Sequence, residues 1–179
     1  MIIEVARLGQ RLVRDDRVTT HAALVSRAFG ARRIYMSEAN ADIRDTLRGV
    51  NRTWGGDFEV VLEQDLKGII RRRKADLFGV VHLTMYGEAL DAVLPRMARL
   101  ENMLVVIGAG KVPREIYDMA DYNVAVGSQP HSEIAALAVF LDRVQRGRQF
   151  GIAPPGAARR IIPSRRGKLV VDGESYGRP

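Results

Sequence analysis

The 179-residue chain contains no cysteine. Disulfide scaffolds, cysteine-ligated zinc, iron–sulfur clusters and thiol nucleophiles are thereby excluded. No apolar run approaches the roughly 20 residues that a membrane helix needs. Residues 1–7 have no basic region, long apolar core or small-residue cleavage site, so they do not read as a secretory signal. These absences predict a cytoplasmic protein with no membrane partner. Lysine is scarce as well: Lys67, Lys74, Lys111 and Lys168 are the only lysines among 28 basic residues. The remainder is arginine, which suits phosphate and base edges but also follows from genome composition.

What is present fits one globular domain. Apolar residues make up 46% of the chain and charged residues 27%, too apolar for a disordered polymer. The net charge is +7 and the pI about 10.2, a surplus that favours a polyanionic partner such as nucleic acid.

Short apolar runs alternate with segments of helical period. Strands are predicted at residues 2–8, 33–36, 58–62, 78–83, 103–107 and 123–126. Val18, Ala22, Val25 and Phe29 fall on one helical stripe, as do Ile43, Leu47, Val50 and Trp54. Residues 66–74 read as a short helix with a basic tail, and residues 88–100 as a helix that Pro95 kinks or delays. Pro113 and Pro130 open the last two helices. The order βαβαβαβαβαβα predicts an α/β fold with a mostly parallel sheet and helices on both faces. Residues 1–150 form this unit, and residues 151–179 read as a C-terminal extension of the same domain carrying a β-hairpin.

Ligands of open parallel sheets bind beyond the carboxyl ends of the strands. Three such ends carry glycine-containing loops: His82-Leu83-Thr84-Met85-Tyr86-Gly87, Ile107-Gly108-Ala109-Gly110-Lys111-Val112-Pro113, and Val126-Gly127-Ser128-Gln129-Pro130-His131-Ser132-Glu133. The middle loop fits neither a P-loop nor a dinucleotide fingerprint. The gap before Gly-Lys is too short, Val112 replaces the magnesium-binding hydroxyl, and Pro113 stands where a third glycine belongs. Glycines after strands also simply make tight turns. Three such loops on the last three strands favour a site that holds a flat adenine through main-chain groups, with Leu83, Ile107 and Val126 as apolar walls. His21, His82 and His131 lie in separate elements without ligand spacing, so no metal is expected. No Gly-x-Ser-x-Gly elbow or paired-carboxylate motif is present.

The segment Arg14-Asp15-Asp16-Arg17-Val18-Thr19-Thr20-His21, the 81–87 run, Lys111-Val112-Pro113-Arg114-Glu115 and the stretch 120–133 together resemble the archaeal tRNA (cytidine-2′-O)-methyltransferases acting at position 56 in the T-loop. That resemblance spans residues 7 to about 171. It implies a SPOUT-superfamily fold with a C-terminal trefoil knot, S-adenosylmethionine as cofactor, tRNA as substrate, and a homodimer whose active sites are completed near the subunit interface. By the family's motifs, cofactor contacts fall on Leu83, on Gly108, Ala109, Gly110, Lys111 and Val112, and on Val126, Gly127, Ser128, Gln129, Pro130, His131, Ser132 and Glu133. The family usually carries glutamate at the place of Gly110 and often asparagine at that of Ser128. The arginine of the wider superfamily's first motif has no direct counterpart, because Val18 and Leu24 stand near those offsets. Arg17 is the nearest replacement and the candidate catalytic residue. Arg11, Arg14, Thr19, Thr20 and His21 are candidate tRNA contacts, Thr19 and Thr20 reading equally as helix caps. The alternatives are a catalytically silent RNA-binding protein of this fold and a methyltransferase that acts on an RNA base.

Overall fold

A computed structural model describes residues 1–9, 16–37 and 39–173. Arg11 and Arg14 lie outside the described residues. Six strands, β1 (Ile2–Leu8), β2 (Arg33–Met36), β3 (Glu59–Leu62), β4 (Gly79–Ala89), β5 (Asn102–Gly108) and β6 (Tyr122–Ala125), form one sheet in the order β3-β2-β1-β5-β4-β6. Every neighbouring pair is parallel.

The apolar run in β5 shows why the layers form. Met103, Val105 and Ile107 pack into one core, and Leu104 and Val106 into the other, so both faces of the strand are buried. The larger core is covered by α1 (Asp16–Ala28), α2 (Asp42–Trp54), α4 (Leu90–Met97) and α6 (Glu133–Gln145). The smaller is covered by α3 (Leu66–Ala75) and α5 (Arg114–Met119). Leu137, Phe140 and Leu141 of α6 are fully buried, each worth about 1.5–3 kcal/mol by transfer from water. That anchorage holds the loop preceding α6 against the sheet.

The fourth and sixth strand–helix units differ from the sequence reading. The fourth strand does not end at residue 83 but runs to Ala89, and its register against β6 shifts so that both Leu83 and Glu88 pair with Val124. Residues 84–87 bulge outward between those pairs. A Cβ on Gly87 would collide with the backbone of Asn123 and Val124, so only glycine allows this approach. The helix expected at 88–100 is correspondingly shortened to α4, with Pro95 inside it removing the hydrogen bond otherwise made to the Asp91 carbonyl. The last helix begins at Glu133 rather than Pro130, because Ser132 Oγ accepts from Ile134 N–H at 3.1 Å and caps it.

Beyond a 3-10 turn (Arg148–Gly151), β7 (Arg159–Ile161) and β8 (Val170–Asp172) pair antiparallel, as the hairpin reading expects. The extension lies against the end of α2. Gly56 N–H donates to the Pro155 carbonyl at 2.8 Å, and Gly55, at φ +81°, has no room for a Cβ beside the Pro154 and Pro155 carbonyls.

Candidate functional site

A cavity of about 500 Å³ opens at the carboxyl ends of β4, β5 and β6, a size within the ordinary range of cofactor sites. Ten of the fourteen residues expected to contact a cofactor line it: Leu83, Gly108, Ala109, Gly110, Lys111, Val112, Val126, Gln129, His131 and Glu133. Gly127, Ser128, Pro130 and Ser132 belong to the same loop without lining the cavity; Ser132 is occupied as the α6 cap. The 126–131 loop is closed by His131, whose Nε2–H donates to the Val126 carbonyl at 2.6 Å.

The glycines divide by reason. Gly127 has φ +81° and open space around a hypothetical Cβ, so its backbone conformation is the constraint. Gly110 has neither positive φ nor a neighbour within 4 Å of a Cβ, and its surroundings are open. A Cβ on Gly108 would strike the Val112 side chain, which makes its role the folding of the loop itself.

Sequence reasoning passed over several lining residues. His82, Thr84, Met85, Tyr86, Tyr117 and Ala136 complete the wall. Tyr86 is 79% exposed at the tip of the β4 bulge. Beneath it lies a polar chain linking three elements. Thr84 Oγ1 and the Tyr117 hydroxyl are 3.0 Å apart, the Tyr117 ring meets the His82 ring edge-on at 4.6 Å, and His82 Nδ1 lies 2.9 Å from Asn123 Oδ1. Burial pushes the His82 imidazole below its ordinary pKa, with the Asn123 hydrogen bond opposing but not cancelling the shift. The 81–87 run contains His82 in plain view; its neighbour Asn123, 41 residues away, does not follow from the run.

The α1 side contributes differently. Arg17 is exposed on the first turn of α1 and does not line the cavity, and His21 is exposed one turn further on. Thr19 is buried, and with Thr20 it borders a small depression shared with Asn40, Asp42, Ile43 and Thr46. The residue joining this helix to the cavity is Arg7, at the end of β1. Its Nη1 donates to Thr19 Oγ1 at 3.0 Å, and its Nη2 pairs with Glu133 Oε1 at 3.3 Å. A charge inside a largely apolar strand, which Glu4 shares, is the available signal for Arg7. Among the described residues, no cluster of three His, Asp or Glu side chains is placed to hold a metal, and no helix is long and apolar enough to cross a membrane.

A parallel sheet covered on both faces, with a glycine-lined cavity at the ends of its last three strands, has the fold of the SpoU/TrmH RNA methyltransferases. An rRNA methyltransferase from Sinorhizobium meliloti superposes with a TM-score of 0.62 at 16% identity, covering 81% of this chain and 56% of its own. The TrmH/SpoU tRNA modifying enzyme of A. aeolicus gives 0.61 at 14% identity, covering 85% and 79%. The SpoU methyltransferase AviRb of Streptomyces viridochromogenes, solved in complex with AdoMet, gives 0.56 at 12% identity, covering 82% and 57%. At the level of sequence the relation is closer. Residues 54–171 match the family model described as tRNA ribose 2′-O-methyltransferase, aTrm56. The tRNA (cytidine(56)-2′-O)-methyltransferase of Cenarchaeum symbiosum is 59% identical over 97% of this chain and 99% of its own length. That of Nitrosopumilus maritimus is 58% identical over 95% and 96%, and that of Methanocaldococcus jannaschii 44% identical over 96% and 97%. The chain belongs to this family of tRNA ribose 2′-O-methyltransferases.

Proposed function

We infer that this chain transfers a methyl group from S-adenosylmethionine to the ribose 2′-hydroxyl of cytidine 56 in tRNA. The observation that carries the reading is 59% identity over 97% of the chain to a cytidine-56 methyltransferase. The cavity residues fit the cofactor. Leu83, Val112, Val126 and Ala136 supply apolar walls, the glycine loops expose main-chain groups to an adenine edge, and Glu133 supplies a carboxylate for an ammonium group. When bound, S-adenosylmethionine supplies an electrophilic methyl group.

The chain's own task is alignment of the acceptor oxygen, which accounts for much of the acceleration in such transfers. Arg17 is exposed on the first turn of α1, and we assign it to orienting the 2′-hydroxyl and an adjacent phosphate. A guanidinium offers N–H donors and positive charge but no acceptor, so its action is electrostatic before it is basic. Arg7 holds α1 and α6 together behind the site. Tyr86 offers an exposed ring to the nucleotide, and Lys111 a cation to the backbone. Thr20 and His21 are further proposed tRNA contacts, as are Arg11 and Arg14 on the resemblance alone.

The reading includes one cytoplasmic unit made of residues 1–150 and the 151–179 extension, acting as a homodimer. Exposed Val139 on α6, with Phe150 and Ile152 after it, supports the dimer, because these apolar groups remain uncovered in one protomer. Light scattering at micromolar concentration gives twice the chain mass on this reading; a fully active monomer refutes the dimer. We also propose, on the family resemblance, that the last strand–helix units follow a knotted path. Pulling the chain from its termini then leaves a contour shorter than the full chain, whereas full extension refutes the knot.

The activity is tested with labelled S-adenosylmethionine and unmodified tRNA. The expected product is a single 2′-O-methylcytidine at position 56. No incorporation, or label on a base, overturns the reading. Gly127→Val removes cofactor binding in a folded protein, and Gly110→Phe does so without a positive-φ penalty. Normal binding by both variants refutes the cofactor site.

A further inference from the structure

His82 is a polar side chain, 1% exposed, that the transfer described above does not use. Asn123 Nδ2 donates to the Tyr117 carbonyl at 3.0 Å, which turns its Oδ1 toward the imidazole, 2.9 Å from Nδ1. An oxygen acceptor at that place requires the proton on Nδ1. Burial disfavours the imidazolium, so at neutral pH Nε2 carries a lone pair. Among the described residues Nε2 has no hydrogen-bond partner, and His82 lies on the cavity wall. The edge-on Tyr117 ring, itself held through Thr84, fixes the plane of the imidazole. An oriented acceptor on the cavity wall, with no protein partner among the described residues, is a place for a donor brought by the ligand in exchange for water.

The cofactor has three kinds of donor. Its ammonium is better served by Glu133, the one carboxylate among the described residues of the cavity wall, through a charge-assisted bond. Its adenine amine suits the main-chain carbonyls of the glycine loops. The ribose hydroxyls remain, and an O–H to imidazole nitrogen bond needs only the neutral lone pair that His82 presents. We propose that His82 Nε2 accepts a hydrogen bond from a ribose hydroxyl of bound S-adenosylmethionine, an inference that rests on the cofactor reading above.

The test uses S-adenosylhomocysteine, which binds without turnover, together with its 2′-deoxy and 3′-deoxy analogues. In nitrogen-15 spectra of the wild-type protein, His82 shows the Nδ1–H tautomer, and its Nε2 resonance shifts toward lower values on ligand addition. His82→Leu weakens S-adenosylhomocysteine by about tenfold, the effect of one neutral hydrogen bond lost. For whichever deoxy analogue lacks the bonded hydroxyl, the wild type has already lost that factor and His82→Leu adds little. An unmoved Nε2 resonance, or an equal further loss with both analogues, overturns the proposal. If His82→Leu does not fold, the spectra and the wild-type affinities for the two analogues still decide. A wild-type protein that fails to bind S-adenosylhomocysteine refutes the cofactor reading instead, so the two failures are distinct.

Discussion

Glu4 and Arg7 stand three residues apart on β1, point to opposite faces of the sheet, and are 3% and 1% exposed. Around Glu4 the network is a cluster of cations and a phenol, in which Arg33 Nε approaches as an ion pair without a hydrogen bond of its own. Tyr35 donates to Oε2 at 2.9 Å, Arg73 Nε pairs with the same oxygen at 2.8 Å, and Arg33 approaches Oε1 at 3.6 Å. Burial lowers the pKa of Arg33 and of Arg73, but the Tyr35 hydrogen bond and the Glu4 charge more than offset it and hold both raised. None of these groups lines the cavity. Around Arg7 the network is a bridge. It runs from Thr19 of α1 to Glu133, whose side chain is 22% exposed at the cavity wall. A charge cluster away from the site serves stability, and a bridge between two site-forming helices serves position.

Breaking the first cluster has the largest expected effect. Glu4→Gln leaves two arginines facing a neutral amide. The cost is about 3 kcal/mol, the lower end for a broken buried pair because both arginines retain some solvent contact. Urea unfolding measures it, and methyl transfer per folded molecule stays within about twofold, since no element of the site moves. A fall in kcat without loss of stability contradicts the division drawn above.

Arg17 is the exposed counterpart of Arg7 on the same side of the molecule. Arg17→Ala leaves cofactor binding intact and lowers single-turnover methylation by about a hundredfold at saturating tRNA, the scale of one lost electrostatic contact to the reacting groups. If Arg17 is only one phosphate contact among several, saturating tRNA at low salt restores the rate. The salt dependence therefore separates alignment from attraction.

Arg7→Met is the smaller perturbation of rate. Glu133 regains water through its exposed edge, so stability falls by about 1–2 kcal/mol, and methylation falls by about tenfold as α1 and α6 lose their tie. Arg7→Lys keeps the charge but loses the fork that reaches both partners, and recovers only part of the rate. A rate unchanged in Arg7→Met reduces the bridge to a structural contact.

The legibility of these features in the sequence follows the range of the interactions. The β5 strand was readable because five consecutive apolar residues need no partner to be recognised. The loops of β5 and β6 were readable because their glycines sit next to the strands they end. The β4 bulge was not, because it depends on Gly87 meeting the backbone of Asn123 and Val124 more than thirty residues later. Glu4 and Arg7 were visible as charges in an apolar strand, yet their roles are set by Tyr35 and Arg73 in one case, and by Thr19 and Glu133 in the other. Only the fold brings those partners together.

His82 supplies the third way of burying a titratable group, without any charge, and gives the smallest expected effect. Its folded-state pKa is depressed from 6.5 by burial, so below that value the unfolded chain binds a proton that the folded protein resists. The stability contributed by the neutral ring is present above pH 6.5 and is lost as pH falls below it. His82→Gln removes this component while any packing cost of the substitution stays constant with pH. Urea midpoints measured between pH 7.5 and 5 should therefore fall more steeply for the wild type than for His82→Gln. His21, His131 and the carboxylates are common to both proteins and cancel in the difference. Parallel curves would show that His82 takes up its proton as readily in the folded protein as in the unfolded chain, and would remove the neutral, buried acceptor from the cavity wall.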